Sequence, residues 1–180
     1  SGDASSVEVG VKFRASVPGN ITGIRFYKDA ANTGTHTGSL WTSTGTQLAT
    51  ATFSNETASG WQEVTFSSPV TITPGVTYVA SYYAPAGNYT FSANTFTGAG
   101  VTNASNTLTA LQSGVDGSNG VYLVQFGGGF PTSSFNDANY WVDVTFRPSA
   151  GINLFSLTSI TSAAGCVTTG SPLDTAAVSI

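Results

Sequence analysis

Apolar and polar residues alternate along the first part of the chain. Between residues 7 and 17, every odd position is apolar and every even position is polar or glycine. Successive side chains of a β-strand point to opposite faces of the sheet, so this alternation predicts a half-buried strand. In that interpretation Glu8, Lys12 and Arg14 face water.

Further short runs with strand character follow, and turn residues such as Pro, Gly and Asn separate them. They occupy residues 21–27, 39–42, 47–53, 61–66, 77–83, 121–126 and 140–146. No convincing amphipathic helix pattern is present. About eight to ten short strands at this spacing predict an all-β fold, a jelly-roll-like or Ig-like antiparallel β-sandwich.

Two stretches carry a weaker pattern. Residues 29–38 are small and polar without periodicity, which predicts a loop. Between residues 86 and 120, Tyr89 and Phe91 suggest one short strand, and a polar stretch rich in Gly, Asn and Thr follows. A structureless loop of that length is uncommon, so we expect the stretch to wrap the sandwich or to form part of a site.

The composition changes to that of a linker at residues 147–151, which divides the chain into a sandwich module, 1–149, and a C-terminal segment, 150–180. The segment contains two strand-like runs, 153–161 and 166–180. A pair of strands is marginally stable alone. It must therefore pack on its own sandwich, belong to a truncated neighbouring domain, or pair with another molecule.

Charge is scarce, at 8% of residues, with 5 basic against 9 acidic side chains and a net charge of -4. So few cations cannot neutralise a row of phosphates, which excludes a nucleic-acid partner. Hydrophobic content of 40% suffices for a core. Little Lys with abundant Thr, Asn and Gly is typical of a secreted or surface-exposed bacterial protein. No run approaches the ~20 apolar residues of a membrane span. The chain begins with Ser1 and not with Met, so we expect a processed, excised or engineered product.

Residues for catalysis are few, and the sequence predicts no enzyme. The single histidine, His36, lies in a Thr- and Gly-rich loop with no carboxylate nearby in sequence, and we interpret it as a solvated or hydrogen-bonding loop residue. Glycoside hydrolysis needs two converging carboxylates. Glu8, Glu63 and Asp143 instead lie in alternating strands, where solvent-facing positions are the ordinary explanation.

Metal and redox chemistry are equally restricted. One His and one Cys cannot supply the usual transition-metal ligands, and Cys166 is interpreted as a small buried side chain. We therefore predict no cofactor, with calcium left open. Loop carboxylates and carbonyls around Asp29, Asp116 or Asp137 are the candidate ligands.

The aromatic residues are the one signal for ligand binding. Tyr and Trp exposed on a sheet or loop can stack on the apolar face of a sugar ring. Trp41, Trp61 and Trp141 each lie in a predicted strand, so we expect them in the core. The candidate ligand-binding residues lie nearer strand ends and Gly-rich loops. They are Tyr83, Tyr89, Tyr122, Phe130 and Phe135, with Phe126 in the same surroundings.

An ordered series of motifs links the chain to a known family. The motifs are GVKFR (10–14), GIRFYK (23–28), THTGSLW (35–41), ASGWQ (58–62), TYVASY (77–82), GFP (129–131) and NYWVDV (139–144). Together they closely resemble the bacterial domain of unknown function 4082 family, over roughly residues 5 to 147. The resemblance implies an extracellular accessory module in large secreted or surface proteins, without catalytic residues to transfer. It implies no particular ligand.

The C-terminal segment lies outside that resemblance and is similar to the last strands of bacterial Ig-like repeats. We hypothesise that its strands pair with an exposed sheet edge, in the same molecule or in the next copy; the second case would give a filament. The candidate self-assembly residues are Leu154, Phe155, Leu157, Ile160, Val167 and Val178.

The first functional hypothesis is therefore a non-catalytic extracellular structural or adhesive module, whose partners are its own copies or neighbouring surface domains. The alternative is a carbohydrate-binding accessory module of a secreted multidomain protein, whose partner is a polysaccharide.

Overall fold

The computed structural model describes residues 2–149 and, beyond them, residues 160–161 and 167–168. The chain divides into two compact units, Ser1–Pro148 and Ser149–Ile180. The strands of the first unit are β1 Val7–Ala15, β2 Gly19–Lys28, β3 Thr37–Thr42, β4 Gln47–Thr52, β5 Gly60–Ile72, β6 Tyr78–Ala84, β7 Val101–Thr102, β8 Leu108–Ala110, β9 Val121–Val124, β10 Ser133–Ser134 and β11 Val142–Pro148. In the second unit, β12 Ile160–Thr161 pairs antiparallel with β13 Val167–Thr168.

The strands of the first unit form two antiparallel sheets. Sheet I has the order β10-β9-β1-β6-β3-β4, with β8 alongside the end of β1 and β7 alongside β8. Sheet II has the order β11-β2-β5. The described residues contain no helix, and hence none that is long and apolar enough to cross a bilayer. The prediction of an all-β antiparallel sandwich is confirmed.

The core lies between the inner faces of the two sheets. Phe26 of sheet II stacks on Tyr82 of sheet I with ring centroids 4.1 Å apart, and Phe53 meets Phe26 edge-on at 4.8 Å. The alternate residues Val7, Val9, Val11 and Phe13 of β1 are buried in the same cluster, as their odd-numbered phase predicts. These contacts orient sheet II with Phe26 facing the core. The residues of β2 and β5 that alternate with the core-facing ones therefore point outward.

The outer face of sheet I is also covered, which corrects the prediction that Glu8 faces water. Glu8 is only 2% exposed. The loop of residues 125–130 passes over it: the Gly129 N–H hydrogen-bonds the Glu8 carboxylate, and the Gly127 N–H donates to the Tyr83 hydroxyl at 3.0 Å. The sequence pattern missed this cover because the loop lies more than a hundred residues away along the chain.

The long stretch between residues 86 and 120 wraps the sandwich edge through a small hairpin, because β8 pairs with β1 and β7 pairs with β8. The prediction of a short strand near Tyr89 and Phe91 is wrong. The nearest pairing is an isolated bridge between Ser92 and Asn139. Asn88 and Asn94 have positive φ angles, which interrupt extended backbone there.

Candidate functional site

Three large aromatic side chains lie together on the outer face of sheet II: Tyr27, Trp61 and Trp141, here called the aromatic trio. They are 39%, 42% and 38% exposed, respectively. Ring centroids are 5.7 Å apart for Tyr27–Trp61 and 6.4 Å for each of the other two pairs. Aromatic pairs in contact have centroids about 4.5–7 Å apart, so the rings touch and form one continuous apolar surface.

Strand alternation places Tyr27 and Trp61 outward. Tyr27 of β2 pairs directly with Trp61 of β5. Two positions away on the same faces, Arg25 pairs with Glu63 across the same two strands and with Asp143 of β11. Residues i and i+2 of a strand share a face, so Tyr27 stands beside Arg25 and Trp61 beside Glu63 on the solvent side.

Trp141 reaches this face through an unusual backbone conformation. Its φ of +54° lies in the left-handed region, which bulky residues rarely adopt. Three hydrogen bonds hold it there: the Trp141 N–H donates to Asn139 Oδ1 at 2.8 Å, Nε1 donates to Ser92 Oγ at 3.1 Å, and the Tyr27 N–H donates to the Trp141 carbonyl at 3.0 Å. Such outliers concentrate at functional sites, where surrounding contacts maintain them.

Charged and polar groups form a rim around the trio. The Arg25 guanidinium lies 4.6 Å from the Trp61 ring centroid, and its Nε is 4.0 Å from Glu63 Oε2. Thr145 Oγ1 donates to Glu63 Oε1 at 3.1 Å. The rim therefore offers hydrogen-bond donors and acceptors, while Arg25 is already balanced by neighbouring carboxylates.

A groove of about 460 Å³ runs from the trio along β11. Side chains of β11 such as Val144 and Phe146 line one wall, and the β7–β8 hairpin lines the other. Trp61 and Trp141 also line the groove, so the groove and the trio are continuous. This volume falls within the range of roughly 300–1,000 Å³ that small-molecule sites occupy.

The trio suits flat apolar surfaces better than a cation. A cage for an ammonium group needs a gap between its rings, but these rings fill the space between one another. What remains exposed is an apolar surface with polar groups at its edge. A pyranose presents the matching pattern, with C–H groups on its faces and hydroxyl groups around its perimeter.

The structure corrects the predicted position of two tryptophans. Trp41 is buried, as predicted, and its Nε1 donates to Ser81 Oγ at 2.8 Å. Trp61 and Trp141 lie at the surface because the sandwich interior is filled by residues of the opposite strand phase. The sequence contained the signal: Trp61 is in phase with Glu63, and Trp141 with Asp143.

Of the predicted ligand-binding residues, only Phe135 is exposed. Tyr83 is buried under the loop of residues 125–130, and Phe130 of that loop packs against Trp41 with centroids 5.7 Å apart. Tyr122 and Tyr89 are half-buried and pack against the main core. These four rings are buried or half-buried and fill spaces at strand ends, and their role in ligand binding stays a prediction. Phe126 is 91% exposed but does not belong to the trio.

The self-assembly prediction falls largely outside the described residues. Leu154, Phe155, Leu157 and Val178 are not described. Ile160 and Val167 belong to β12 and β13, where the backbone pairing alone is described. The prediction about these six residues stays a prediction.

Each candidate calcium carboxylate has its own hydrogen-bond or ion-pair partner. Asp137 accepts hydrogen bonds from Ser113 and Thr97, and Asp116 lies 3.5 Å from Arg14. Asp29 accepts the Ala31 N–H at 2.9 Å. Among the described residues, no group of three or more His, Cys, Asp or Glu side chains could hold a metal ion.

His36 belongs to a buried polar cluster and not to a solvated loop. Its ring is fully buried, with Nδ1 2.8 Å from Glu56 Oε1 and Nε2 2.8 Å from Asn32 Oδ1. Glu56 also accepts a hydrogen bond from Lys28 Nζ at 2.7 Å. Burial lowers the pKa of His36, against the opposing effect of Glu56. The cluster ties the loop of residues 29–36 to sheet II and to Glu56, which is a structural role.

Fold and site together define a β-sandwich module with an exposed aromatic surface. The chain belongs to the domain of unknown function 4082 family (DUF4082), whose sequence profile matches residues 1–142. The resemblance described from the motifs is thereby confirmed. Neither a curated protein nor a solved structure matches the chain.

Proposed function

We propose that this chain is a non-catalytic carbohydrate-binding module of an extracellular bacterial protein. The observation that carries the proposal is the aromatic trio, three touching rings held on the solvent face of sheet II. Sugar stacking removes apolar ring surface and apolar C–H groups from water together, which is favourable without any change in charge.

The rigidity of the trio supports the proposal. Tyr27 and Trp61 project from the paired strands β2 and β5, and Trp141 is fixed by hydrogen bonds to Ser92 and Asn139. A preorganised surface loses little conformational entropy on binding. A binding role also accounts for the left-handed Trp141 backbone, which the packing of the core does not require.

The low charge of the chain and the motif series support the extracellular part of the proposal. A carbohydrate-binding module of this kind also serves adhesion when its polysaccharide belongs to a cell surface. The adhesive hypothesis and the carbohydrate hypothesis therefore share one molecular event.

Binding to insoluble polysaccharides tests the proposal. Trp61→Ala is expected to lower the affinity at least about tenfold, because truncating a central aromatic contact commonly costs more than ~1.4 kcal/mol. Phe126→Ala is the matched control, since it removes an aromatic ring that is 91% exposed elsewhere on the molecule. The proposal is wrong if the two variants bind alike, or if the unsubstituted chain retains no polysaccharide of a broad panel.

A second candidate function is self-assembly through residues 150–180. One observation supports it: β11 is the terminal strand of sheet II among the described strands. An unpaired edge can accept a strand from another copy. Light scattering should show that removal of residues 150–180 abolishes assembly; unchanged particle size would contradict this candidate.

A further inference from the structure

We infer that the aromatic trio and the groove beside β11 form one elongated site, which takes a single chain of an uncharged polysaccharide. This inference rests on the proposed function and adds the class of ligand and the way it lies. One sugar stacks on the trio, and the sugars next to it in the same chain lie in the groove.

The shape of the trio argues against a flat crystalline surface. A crystal face would be matched by aromatic rings spread in a row and lying in one plane. Here the three rings lie within 6.4 Å of one another, and the angles between their planes are 87°, 56° and 67°. Such a compact and non-planar set offers stacking surface for one sugar, so a longer ligand needs further contacts elsewhere.

The groove supplies those contacts. Trp61 and Trp141 belong to its lining, so a chain stacked on the trio can continue into it without a break. The walls of β11 and β8 contribute apolar side chains, including Val144 and Leu108. Hydroxyl and amide groups stand along the lining, contributed by Thr102, Asn103, Ser105, Thr107 and Asn139. Alternating apolar and hydroxyl-compatible surface is what a sugar chain requires.

The charges of the site select against anionic polymers. Among the described residues that line the groove, Asp143 is the one charged side chain. The nearby cation Arg25 pairs with Glu63 and lies across from Asp143. A uronic-acid or sulfated chain would therefore meet a local excess of negative charge, within a molecule whose net charge is already -4. A neutral chain meets no such repulsion.

Calorimetry with neutral oligosaccharides of increasing length tests the inference. The series is built on the neutral polysaccharide that the chain binds best, and runs from monosaccharide to hexasaccharide. Affinity should rise about tenfold or more from the disaccharide to the longest member, as the groove fills. Val101→Glu, which places a charge on the groove wall, should abolish that gain and leave binding of the shortest ligands unchanged.

Val124→Glu is the matched control, because Val124 is 58% exposed against 51% for Val101 but lies on β9, away from the groove. Thermal unfolding of both variants establishes that they fold. A polygalacturonate fragment of equal length should bind at least about tenfold more weakly than the neutral hexasaccharide, and Asp143→Asn should narrow that difference.

Failure of the inference and failure of the proposed function give different results. Loss of all binding in Trp61→Ala, together with equal affinity for short and long ligands, would keep the function and overturn the elongated site. Tighter binding of the anionic fragment would overturn the ligand class. If Val101→Glu instead changes self-association and leaves the dependence on sugar length intact, the groove receives a peptide strand and the inference is wrong.

Discussion

At the scale of single residues, Trp141 and Glu8 each occupy a position that costs free energy. Trp141 has a left-handed backbone that suits glycine, and Glu8 carries a carboxylate into a buried site next to Ser81. Neither side chain belongs to the hydrophobic core cluster, so core packing does not explain why these positions are occupied as they are. The first cost is explained by the exposed ring that results. The second is offset by donors, since Ser81 Oγ donates to Glu8 Oε1 at 2.5 Å.

Replacing Trp141 separates backbone strain from binding. Trp141→Gly is expected to be more stable than Trp141→Ala by about 1 kcal/mol, because glycine adopts a positive φ without a Cβ clash. Both variants should lose polysaccharide binding to the same extent. Urea unfolding and pull-down of the two proteins provide the measurement, and a less stable glycine variant would contradict the assigned conformation.

Glu8 should make stability depend on pH. Burial raises the pKa of Glu8 to about 7, against the opposing hydrogen bonds of Ser81 and Gly129. Because the folded-state pKa exceeds that of the unfolded chain, the contribution of Glu8 is complete below about pH 4.5 and is lost as the pH rises through about 7. Glu8→Gln should therefore gain stability relative to the unsubstituted chain between those pH values, by up to about 3 kcal/mol.

The pKa shift of His36 changes stability with pH in the direction opposite to that of Glu8. The effect of Glu8 is therefore measured as the difference between the stability profiles of Glu8→Gln and the unsubstituted chain. Its lowered pKa means that the unfolded chain binds the proton more readily, and stability falls as the pH drops below about 6.5. Since Glu8→Gln leaves His36 unchanged, subtracting the two urea-unfolding profiles isolates Glu8. If the difference in unfolding free energy does not change between pH 4.5 and 7, burial does not raise the pKa of Glu8 and the prediction is wrong.

At the scale of elements, the loop of residues 125–130 decides which sheet face is free. It covers the outer face of sheet I, where Phe130 packs on Trp41, and Phe130 also lies against Gly45. Within residues 2–149, nothing comparable covers the trio on the outer face of sheet II, and its rings are about two-fifths exposed. The two outer faces, though built from the same alternating pattern, thus differ: the described loop covers one, and the aromatic trio is exposed on the other.

Phe130→Ala should affect the stability of the fold and leave polysaccharide binding unchanged. Removal of a half-buried ring that seals Trp41 is expected to destabilise the fold by about 2 kcal/mol. Polysaccharide binding by the folded protein should be unchanged, because Phe130 lies on sheet I and the trio on sheet II. Phe135→Ala, at an exposed position, is the control and should alter stability little. Weaker binding by folded Phe130→Ala would restore Phe130 as a ligand-binding residue.

At the scale of the whole molecule, scarce charge is a property of both the surface and the site. With 8% charged residues, the chain offers the proposed polysaccharide a groove and trio lined mainly by apolar and uncharged polar side chains. Low charge also removes the lysine-rich protection that exposed sheet edges usually carry, which is consistent with an assembly role for an open edge.

Salt should therefore have little effect on polysaccharide binding. Between about 50 and about 500 mM NaCl, screening strongly weakens exposed ionic contacts and leaves apolar stacking nearly unchanged. We expect the dissociation constant for the neutral ligand to stay within about twofold over that range. Titration calorimetry at several salt concentrations checks this, and a steep loss of affinity with salt would indicate that Arg25 or another ion contributes directly.

The sequence by itself determined the positions of most strands and the all-β class. Alternation is a local property, and residues such as Val9 or Tyr82 carry the same phase whatever their distant neighbours are. The turns at Pro74-Gly75 and Thr44-Gly45 likewise depend on adjacent residues only. The motif series was also sufficient to place the chain in its family.

Only the tertiary structure decided which alternating faces remain open. Glu8 and Trp61 occupy equivalent patterns in sequence, yet Glu8 is buried and Trp61 is exposed. The difference arises because a loop from a distant part of the chain covers β1, whereas nothing described covers the trio. Grouping Tyr27, Trp61 and Trp141 also needed the pairing of three strands far apart in sequence. Strand pairing and the covering of a sheet face by a loop both depend on residues far apart in the sequence. The pattern within one strand therefore cannot predict them.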